Sequence, residues 1–354
     1  MNNAGYPVDK KRNSGLGMMK LSAARLLSAG MLLTASALSC AWAQSTSPVE
    51  AQEEAKFRAY VETLKEKALT QGITQQTVER AFANVYYLKR VVTADQNQPE
   101  KKLTLDDYLR RSLSAAKIKR ARAAYVDYKK QLDAVSKRSG VPANYIVALW
   151  GSESGFGRFQ GKEDIVSALS TLAFDGRREA FFTDQLMAAL QILQQGHIAP
   201  ERFKGSWAGA MGQCQFMPTS FLKYGMDGNG DGKVDIWQNT DDVFASIANY
   251  LATEGWNAKE GWGIEVTVAK DFKAEWVGLE DERGKTVGQW KKLGIRAVSP
   301  AKIPNGQRAW IVQPDDAQGR TFMVFNNFRT LMHWNRSTYF GINVGMLADS
   351  VVKK

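Results

Sequence analysis

Cysteine and histidine are scarce in this chain, with two of each among 354 residues. Cys214 is the only cysteine outside an N-terminal segment that we expect to be removed, so no intramolecular disulfide bond is predicted. The two histidines, His197 and His333, lie far apart in the sequence. With so few sulfur and imidazole ligands, we expect neither a zinc site nor another Cys/His site.

The chain also lacks a hydrophobic run of membrane-spanning length. The apolar stretch at residues 26–38 is too short and too rich in small residues for a confident span. It follows five basic residues and precedes Ala41-Trp42-Ala43, which fits a small-x-small cleavage site. Residues 1–43 are therefore predicted to be a signal peptide that is cleaved before Gln44, and the protein is predicted to be exported.

Lipid attachment at Cys40 is the alternative to simple cleavage. The preceding Ala37-Leu38-Ser39 matches a lipoprotein box poorly, because the preferred leucine stands one place too late, so we favour cleavage. Cleavage removes five basic residues and one acidic residue, and the net charge falls from +11 to near +7. A basic exported protein suits an anionic polymer or a membrane surface, although a generic basic surface explains the charge equally well.

The remaining sequence divides into segments of different texture. The predicted segments are a polar leader at 44–55, a helical subdomain at 56–136, a motif-rich core at 137–257, a β subdomain at 258–325 and a C-terminal part of the core at 326–354. Helical periodicity and end signals predict helices over 142–154, 164–173, 178–195, 218–224, 241–254 and 339–352. Alternation with period two predicts strands at 263–268, 309–312 and 321–325.

A glutamate stands where an apolar helical face ends. Within residues 142–155, a proline suits the start of a helix and a glycine suits its end. Glu153 follows Leu149 by four places and Trp150 by three, so it continues their face. Poor solvation and the negative end of the helix dipole both favour its protonated form, which suits a general acid. The ordinary alternative is a solvated glutamate, or one paired with Arg158.

A second informative block is Gly-Ser-Trp-Ala-Gly-Ala-Met-Gly-Gln-Cys-Gln-Phe-Met-Pro at residues 205–218. Its glycine and alanine steps allow backbone to approach backbone or ligand closely. Ser206, Gln213 and Gln215 offer neutral hydrogen-bonding groups that suit hydroxyl and acetamido groups. Tight packing of a loop against the core explains the glycines, but it does not explain these polar side chains.

Oxygen-bearing side chains recur through residues 227–238 at the spacing of an EF-hand calcium loop. The predicted metal ligands are Asp227, Asn229, Asp231, the carbonyl of Lys233, and Asp235. Gln238 replaces the bidentate glutamate that usually ends such a loop, which should weaken binding. We expect a structural calcium ion without a catalytic role, and the alternative is a plain Asp/Asn/Gly turn.

Taken in order, these motifs resemble the lytic murein transglycosylase B family. The shared features are Glu-Ser-Gly-x-Gly from Glu153, Gly-Ala-Met-Gly-x-x-Gln-Phe-Met-Pro ending at Pro218, the aspartate loop, Ala-Asn-Tyr-Leu at 248–251, and Trp-Asn-Arg-Ser-x-Tyr from Trp334. They cover roughly residues 56–350. The resemblance implies a mainly α (α+β) fold, with a lysozyme-like helical core, an added N-terminal helical subdomain and a small inserted β subdomain. It also implies an enzyme that cleaves the β-1,4 bond between N-acetylmuramic acid and N-acetylglucosamine without water, closing a 1,6-anhydro ring.

The resemblance makes Glu153 the single catalytic acid. The residues that align with the family's substrate site are Ser206, Gln215, Arg177, Arg178, Tyr250, Trp334, Asn335 and Tyr339. Trp334 stands where some members have tyrosine, which keeps a stacking surface but loses a hydroxyl. The aspartate loop aligns with the family's calcium site, and the chemistry itself requires no cofactor.

The expected partners are peptidoglycan glycan strands in the periplasm, with wall-synthesis proteins as further candidates. We expect a monomer and no nucleic-acid partner. A hydrolytic muramidase is one alternative, and it would need a second acid, for which Glu163, Asp164 and Asp175 are the candidates. A non-catalytic wall-binding scaffold that keeps the groove is the other alternative.

Overall fold

A computed structural model describes residues 48–97 and 103–352, and they belong to one compact unit. The predicted signal peptide, with Cys40 and the cleavage site before Gln44, lies outside the described residues. Fourteen α-helices occur within them: α1 (Pro48–Thr70), α2 (Gln75–Phe82), α3 (Lys89–Gln96), α4 (Leu105–Ser112), α5 (Ala115–Asp127), α6 (Lys129–Ser139), α7 (Ala143–Ser154), α8 (Ile165–Phe174), α9 (Glu179–Gln194), α10 (Pro218–Tyr224), α11 (Thr240–Thr253), α12 (Val287–Lys292), α13 (Asn326–Trp334) and α14 (Thr338–Val352). The prediction of a mainly helical protein is confirmed.

The first helix begins inside the stretch predicted as a polar leader. α1 starts at Pro48, so all of residues 48–55 are helical. Glu50 in the first turn suits the positive end of the helix dipole, and Glu54 pairs with Arg58 one turn later. Charged residues at this spacing stabilise a helix. The polar composition that suggested a leader at 44–55 is therefore compatible with the helical structure of residues 48–55.

Seven short strands complete the described part of the chain. They are β1 (Glu163–Asp164), β2 (Lys204–Gly205), β3 (Gly263–Thr267), β4 (Lys285–Thr286), β5 (Arg296–Ala297), β6 (Arg308–Val312) and β7 (Thr321–Val324). β1 pairs with β2, and the others form an antiparallel sheet in the order β4-β6-β7-β3-β5. One side of this sheet has its own small core around Trp290, Ile311 and Met323, which supports a β substructure at the predicted place.

Helix α7 lies at the centre of the helical core. Its residues Tyr145 to Gly151 are all buried, and it packs against α5, α6, α11 and α14. A helix that is apolar all round needs such cover on every side. The consequence is that α7, which carries Glu153 in its last turn, is covered by four neighbouring helices. No helix among residues 48–97 and 103–352 is both long enough and apolar enough to cross a membrane.

Candidate active site

Glu153 lies in the last turn of α7, one residue before the helix ends. Gly155 ends the helix in the left-handed conformation, with φ 59°, and its N–H donates to the carbonyl of Gly151 at 3.2 Å. The Ser154 hydroxyl then accepts from the Gly157 N–H at 3.0 Å. The predicted helix end is therefore confirmed, and the turn that follows is fixed by its own hydrogen bonds.

The Glu153 carboxyl group has one direct hydrogen-bond partner among the described residues. Nε1 of Trp334, the last residue of α13, donates to Glu153 Oε1 at 2.6 Å. Burial raises the pKa of Glu153 from 4.5 to about 7, while this hydrogen bond and the Lys117 charge act in the opposite direction. Both protonation states are therefore accessible near neutral pH, as a group that must give and regain a proton requires.

Two neighbours of Glu153 come from the N-terminal helices and were not among the predicted site residues. Lys117 on α5 is half-buried, which lowers the pKa of its ammonium group, while the Glu153 charge raises it. Burial raises the pKa of the Tyr108 phenol on α4, and the Glu153 charge adds to that effect. In the sequence Lys117 sits beside Lys119 and Arg120, so it reads as part of a solvated charge run.

Aromatic rings surround the indole that contacts Glu153. The Trp334 ring centroid lies 4.5 Å from that of Tyr250 and 5.2 Å from that of Phe216. Tyr250 in turn lies 4.2 Å from Tyr224. Two predicted site residues, Tyr250 and Trp334, are thus brought together with Glu153. The hydroxyl that a tyrosine would supply at position 334 is replaced by the indole N–H as hydrogen-bond donor.

The polar side chains of the loop at 205–218 make hydrogen bonds within the loop and to the segments packed against it. Ser206 Oγ accepts from the Ala210 N–H at 2.9 Å. Gln215, with φ 49°, donates through Nε2 to the carbonyls of Gly212 at 2.9 Å and Gln160 at 3.3 Å. The buried Gln213 bridges Trp150 Nε1 and the Trp237 carbonyl. The expectation that loop packing cannot explain these polar side chains is therefore wrong, because they hold the loop together.

The two predicted arginines are engaged with a single carboxylate. Arg177 and Arg178 both pair with Asp95 of α3, whose side chain is buried. Arg177 also donates to the Asp95 carbonyl at 2.8 Å. Both guanidinium groups remain about half exposed. The pair joins α3 to the start of α9. Within the described residues, neither arginine makes a hydrogen bond or an ion pair with Glu153.

The two late polar residues of the predicted site differ in environment. Asn335 is exposed, and its Oδ1 accepts from the Ser337 N–H at 3.0 Å. The Tyr339 hydroxyl is hydrogen-bonded to the Leu103 carbonyl at 3.0 Å and to the Asp315 carboxylate. Burial, helped by this carboxylate, raises the pKa of Tyr339 to about 12. Tyr339 and Tyr108 line one cleft of about 640 Å³, and the charge of Glu153 acts on Tyr108.

The aspartate loop holds itself by backbone hydrogen bonds. Asp227 accepts from the N–H groups of Gly230 at 2.6 Å and Gly232 at 2.7 Å, which hold the pKa of its carboxyl below the usual value. Buried Asp242 of α11 accepts from the Gly228 N–H at 2.8 Å and the Asp235 N–H at 2.7 Å. In the described part of the chain, no three His, Cys, Asp or Glu side chains are gathered to hold a metal. The donor chemistry suits calcium, but the carboxylates do not converge.

Comparison with known proteins identifies the family. A model of the transglycosylase SLT domain matches residues 56–349. The chain belongs to this family. The match includes the whole of α7 and α13, and thus both Glu153 and Trp334.

Relatives of this transglycosylase SLT chain include both a curated protein and solved structures. The chain is 33% identical over 214 residues to the membrane-bound lytic murein transglycosylase B of Escherichia coli, which covers 60% of this chain and 57% of that protein. The match thus spans little more than half of that relative's length.

Three solved structures show the fold of the family. SltB3 from Pseudomonas aeruginosa, in complex with NAG-anhNAM-pentapeptide, is 38% identical with a TM-score of 0.80, over 83% of this chain and 79% of that chain. SltB1 from the same organism is 27% identical with a TM-score of 0.73, over 83% and 98%. Escherichia coli Slt35 in complex with calcium is 26% identical with a TM-score of 0.70, over 84% and 93%. The predicted lysozyme-like helical core is confirmed by these matches.

The three carboxylates that could make this transglycosylase SLT site a two-acid site have other partners. Glu163 pairs with Arg90. Asp164 caps α8 by accepting from the Ser167 N–H at 2.9 Å, and it also pairs with Lys204 at 2.9 Å. The remaining candidate, Asp175, ends α8 and lies 3.7 Å from Nε of Arg177. Each of them therefore has a structural role, and the charge that acts on Glu153 is the Lys117 ammonium group.

Proposed function

We propose that the protein is a peptidoglycan lytic transglycosylase that uses Glu153 alone, first as acid and then as base. The observation that carries the proposal is the environment of Glu153. Its carboxyl group is partly buried, has a pKa raised to about 7, and is acted on by one indole donor and one ammonium group but by no second carboxylate among the described residues. Family membership and the peptidoglycan fragment held by SltB3 support the same substrate class.

In the first step the protonated carboxyl group acts as general acid. Glu153 gives its proton to the glycosidic oxygen as the bond between that oxygen and C1 of N-acetylmuramic acid breaks. The developing positive charge at C1 is stabilised by the carbonyl oxygen of the sugar's own 2-acetamido group. A carboxyl group that stays protonated near neutral pH supplies this proton without help from a second acid.

In the second step the same group acts as base. The Glu153 carboxylate removes the proton of the C6 hydroxyl while O6 bonds to C1 and closes the 1,6-anhydro ring. The proton lost in the first step is thereby regained, and no water is consumed. The Lys117 charge and the Trp334 donor both favour the carboxylate that exists between the two steps.

A hydrolytic muramidase would place a base or nucleophile on the far face of the sugar. The described carboxylates considered for that role are engaged in a cap or in ion pairs, as shown above. The single-carboxyl environment therefore favours ring closure over hydrolysis. A non-catalytic scaffold would have no need to keep a carboxyl group titratable in a partly buried site.

The remaining residues of the proposed substrate site differ in their position relative to Glu153 and in their exposure. Tyr250 and Trp334 line the wall beside Glu153, and Tyr339 lines the cleft of about 640 Å³. Asn335, Arg177 and Arg178 are exposed enough to reach a long glycan or its peptides. Ser206 and Gln215 would act mainly by shaping the loop. We propose that the substrate is met in the periplasm, after export.

Calcium is proposed only as a structural ligand of the 227–238 loop. Its ligands would be Asp227, Asn229, Asp231, the Lys233 carbonyl and Asp235, and the ion would add rigidity to the loop. A calcium complex of the relative Slt35 supports the proposal. Gln238 in place of glutamate argues for weak binding.

The test is digestion of purified peptidoglycan followed by mass analysis of the released muropeptides. The wild-type protein is expected to give anhydro products, and Glu153→Gln is expected to give none while keeping its fold and its glycan binding. Glu163→Gln is the matched control, expected to keep the activity. Water-added products would favour the muramidase, and a lack of products from the wild type would favour the scaffold.

A further inference from the structure

Trp334 makes a single hydrogen bond with the carboxyl group of Glu153. Its Nε1–H donates to Glu153 Oε1 at 2.6 Å. An indole nitrogen donates a hydrogen bond but cannot accept one. The contact is therefore satisfied only while Oε1 presents a lone pair to the indole. The carbonyl oxygen of a carboxylic acid accepts a hydrogen bond more strongly than its hydroxyl oxygen, so in protonated Glu153 the indole favours Oε1 as the carbonyl oxygen and Oε2 as the oxygen that carries the proton.

The indole is held in place by its own surroundings. Its ring is packed against those of Tyr250 and Phe216, at centroid distances of 4.5 and 5.2 Å. The preceding residue, His333, lies with Nδ1 2.9 Å from Glu254 Oε2, and this contact secures the last turn of α13. A donor fixed in this way favours one orientation of the carboxyl group over the flipped one.

We infer that Trp334 is a positioning residue, which holds Oε1 as acceptor and leaves Oε2 as the oxygen that gives the proton to the leaving group and takes it back from the C6 hydroxyl. The inference rests on the proposed function of Glu153 as acid and base. It differs from a stacking role, because stacking on a sugar needs only the ring and makes no use of the N–H. Both proton transfers then pass through the same atom, and the carboxyl group need not rotate between them.

Infrared spectroscopy of the resting protein tests the orientation directly. The difference between wild-type and Glu153→Gln spectra isolates the C=O stretch of protonated Glu153. Replacing Trp334 by benzothienylalanine keeps the ring size and removes the N–H. We expect the C=O stretch to move to higher frequency in the benzothienylalanine variant and in Trp334→Phe, because the carbonyl oxygen loses its hydrogen-bond donor. Trp276→Phe, in the β substructure, is the matched control and should leave the band in place.

Kinetics tests the consequence for the reaction. The N–H stabilises the carboxylate, so its removal should move the alkaline limb of the pH–rate profile to higher pH. It should also lower kcat by about tenfold with little change in KM, because the donor acts on Glu153 and not on the sugar. A rise in KM with kcat and the pH limb unchanged would show a sugar contact instead and would overturn the inference.

The two claims fail separately. An unchanged C=O band in the benzothienylalanine protein would overturn the role of Trp334 whatever products the enzyme makes. Water-added or absent products from the wild-type protein would overturn the proposed function, because they concern the reaction and not the resting carboxyl group. The isosteric replacement keeps the packing against Tyr250 and Phe216, and a melting temperature equal to that of the wild type verifies its fold.

Discussion

A single carboxyl group can serve two opposite proton transfers when its surroundings hold its pKa between the extremes. For Glu153, burial penalises the charge, and the Trp334 donor and the Lys117 ammonium group partly compensate. Full burial without these two groups would raise the pKa further, so the group would stay protonated but would be a weak proton donor. Free exposure would leave the group ionised and unable to start the reaction.

The raised pKa of Glu153 predicts that ionisation of this group destabilises the folded protein at high pH, and that Glu153→Gln removes this effect. The folded protein binds this proton more tightly than the unfolded chain, so the linked stability is complete below pH 4.5 and is lost as the pH rises through about 7. Glutamine does not ionise, so above pH 7 the variant should gain up to about 3 kcal/mol over wild type, relative to their difference at acid pH. Thermal melts across this window measure the gain, and parallel curves for the two proteins would contradict it.

Lys117 predicts a second change in the same titration. Its positive charge lowers the pKa of Glu153, so Lys117→Gln should raise that pKa and move the alkaline limb of the pH–rate profile upward. Lys119→Gln removes an equal charge from an exposed position of α5 and serves as the control. If both variants shift the alkaline limb equally, the shift reflects net charge alone, and a specific effect of Lys117 on Glu153 is contradicted.

The position of Glu153 at the end of an apolar helical face could be predicted from the sequence because its signal is local: the apolar residues that precede it on that face and the glycine that ends the helix. The proximity of Lys117 and Tyr108 could not be predicted, because it arises only when α5 packs against α7 and α4 packs against α14 in the folded chain. The partners of Ser206 and Gln215 were missed for a different reason. Their side chains bond to backbone carbonyls and N–H groups, which leave no pattern in the sequence.

At the scale of elements, the positions of the helices could be predicted from the sequence, but the contacts that join them could not. The predicted spans for α7 to α11 agree with the structure within one or two residues, because proline, aspartate, asparagine and glycine mark the ends. The start of α1 was missed because its first turns are polar. The joint between α3 and α9 through Asp95 depends on contacts more than 80 residues apart, which periodicity cannot reveal.

Asp242 joins α11 to the aspartate loop, and its loss is expected to destabilise the protein. It is fully buried and accepts two loop N–H groups, from Gly228 and Asp235. Asp242→Ala leaves both donors without partners, which should cost about 1–3 kcal/mol of unfolding free energy. Asp241→Ala, on the more exposed side of the same turn, should cost less. Denaturant unfolding measures both, and an equal cost would deny Asp242 this joining role.

At the scale of the whole molecule, the described chain is a helical core with a small sheet, and the carboxyl group proposed as catalytic lies where an N-terminal helix, the central helix and a late helix meet. Lys117, Glu153 and Trp334 come from α5, α7 and α13. The segments that frame the site are thus far apart in the sequence. The fold class and the position of Glu153 at a helix end could be predicted from the sequence, while the assembly of the surrounding residues could not.

Removal of calcium is expected to leave the activity in place, because the loop at 227–238 is held by its own backbone hydrogen bonds. Chelation should change the rate of peptidoglycan digestion by less than about twofold, and saturating calcium should raise the melting temperature by only a few degrees. Magnesium in place of calcium is the control for a general salt effect. Loss of activity on chelation, restored by calcium, would contradict this expectation.

The central claim is that one carboxyl group closes a ring and no water enters the product. Digestion of purified peptidoglycan in water enriched with heavy oxygen tests it directly, since a hydrolase must place solvent oxygen on the newly released sugar end. Mass spectrometry of the muropeptides is expected to show anhydro ends without the heavy isotope. Reducing ends that carry heavy oxygen as the first-formed products would contradict the account.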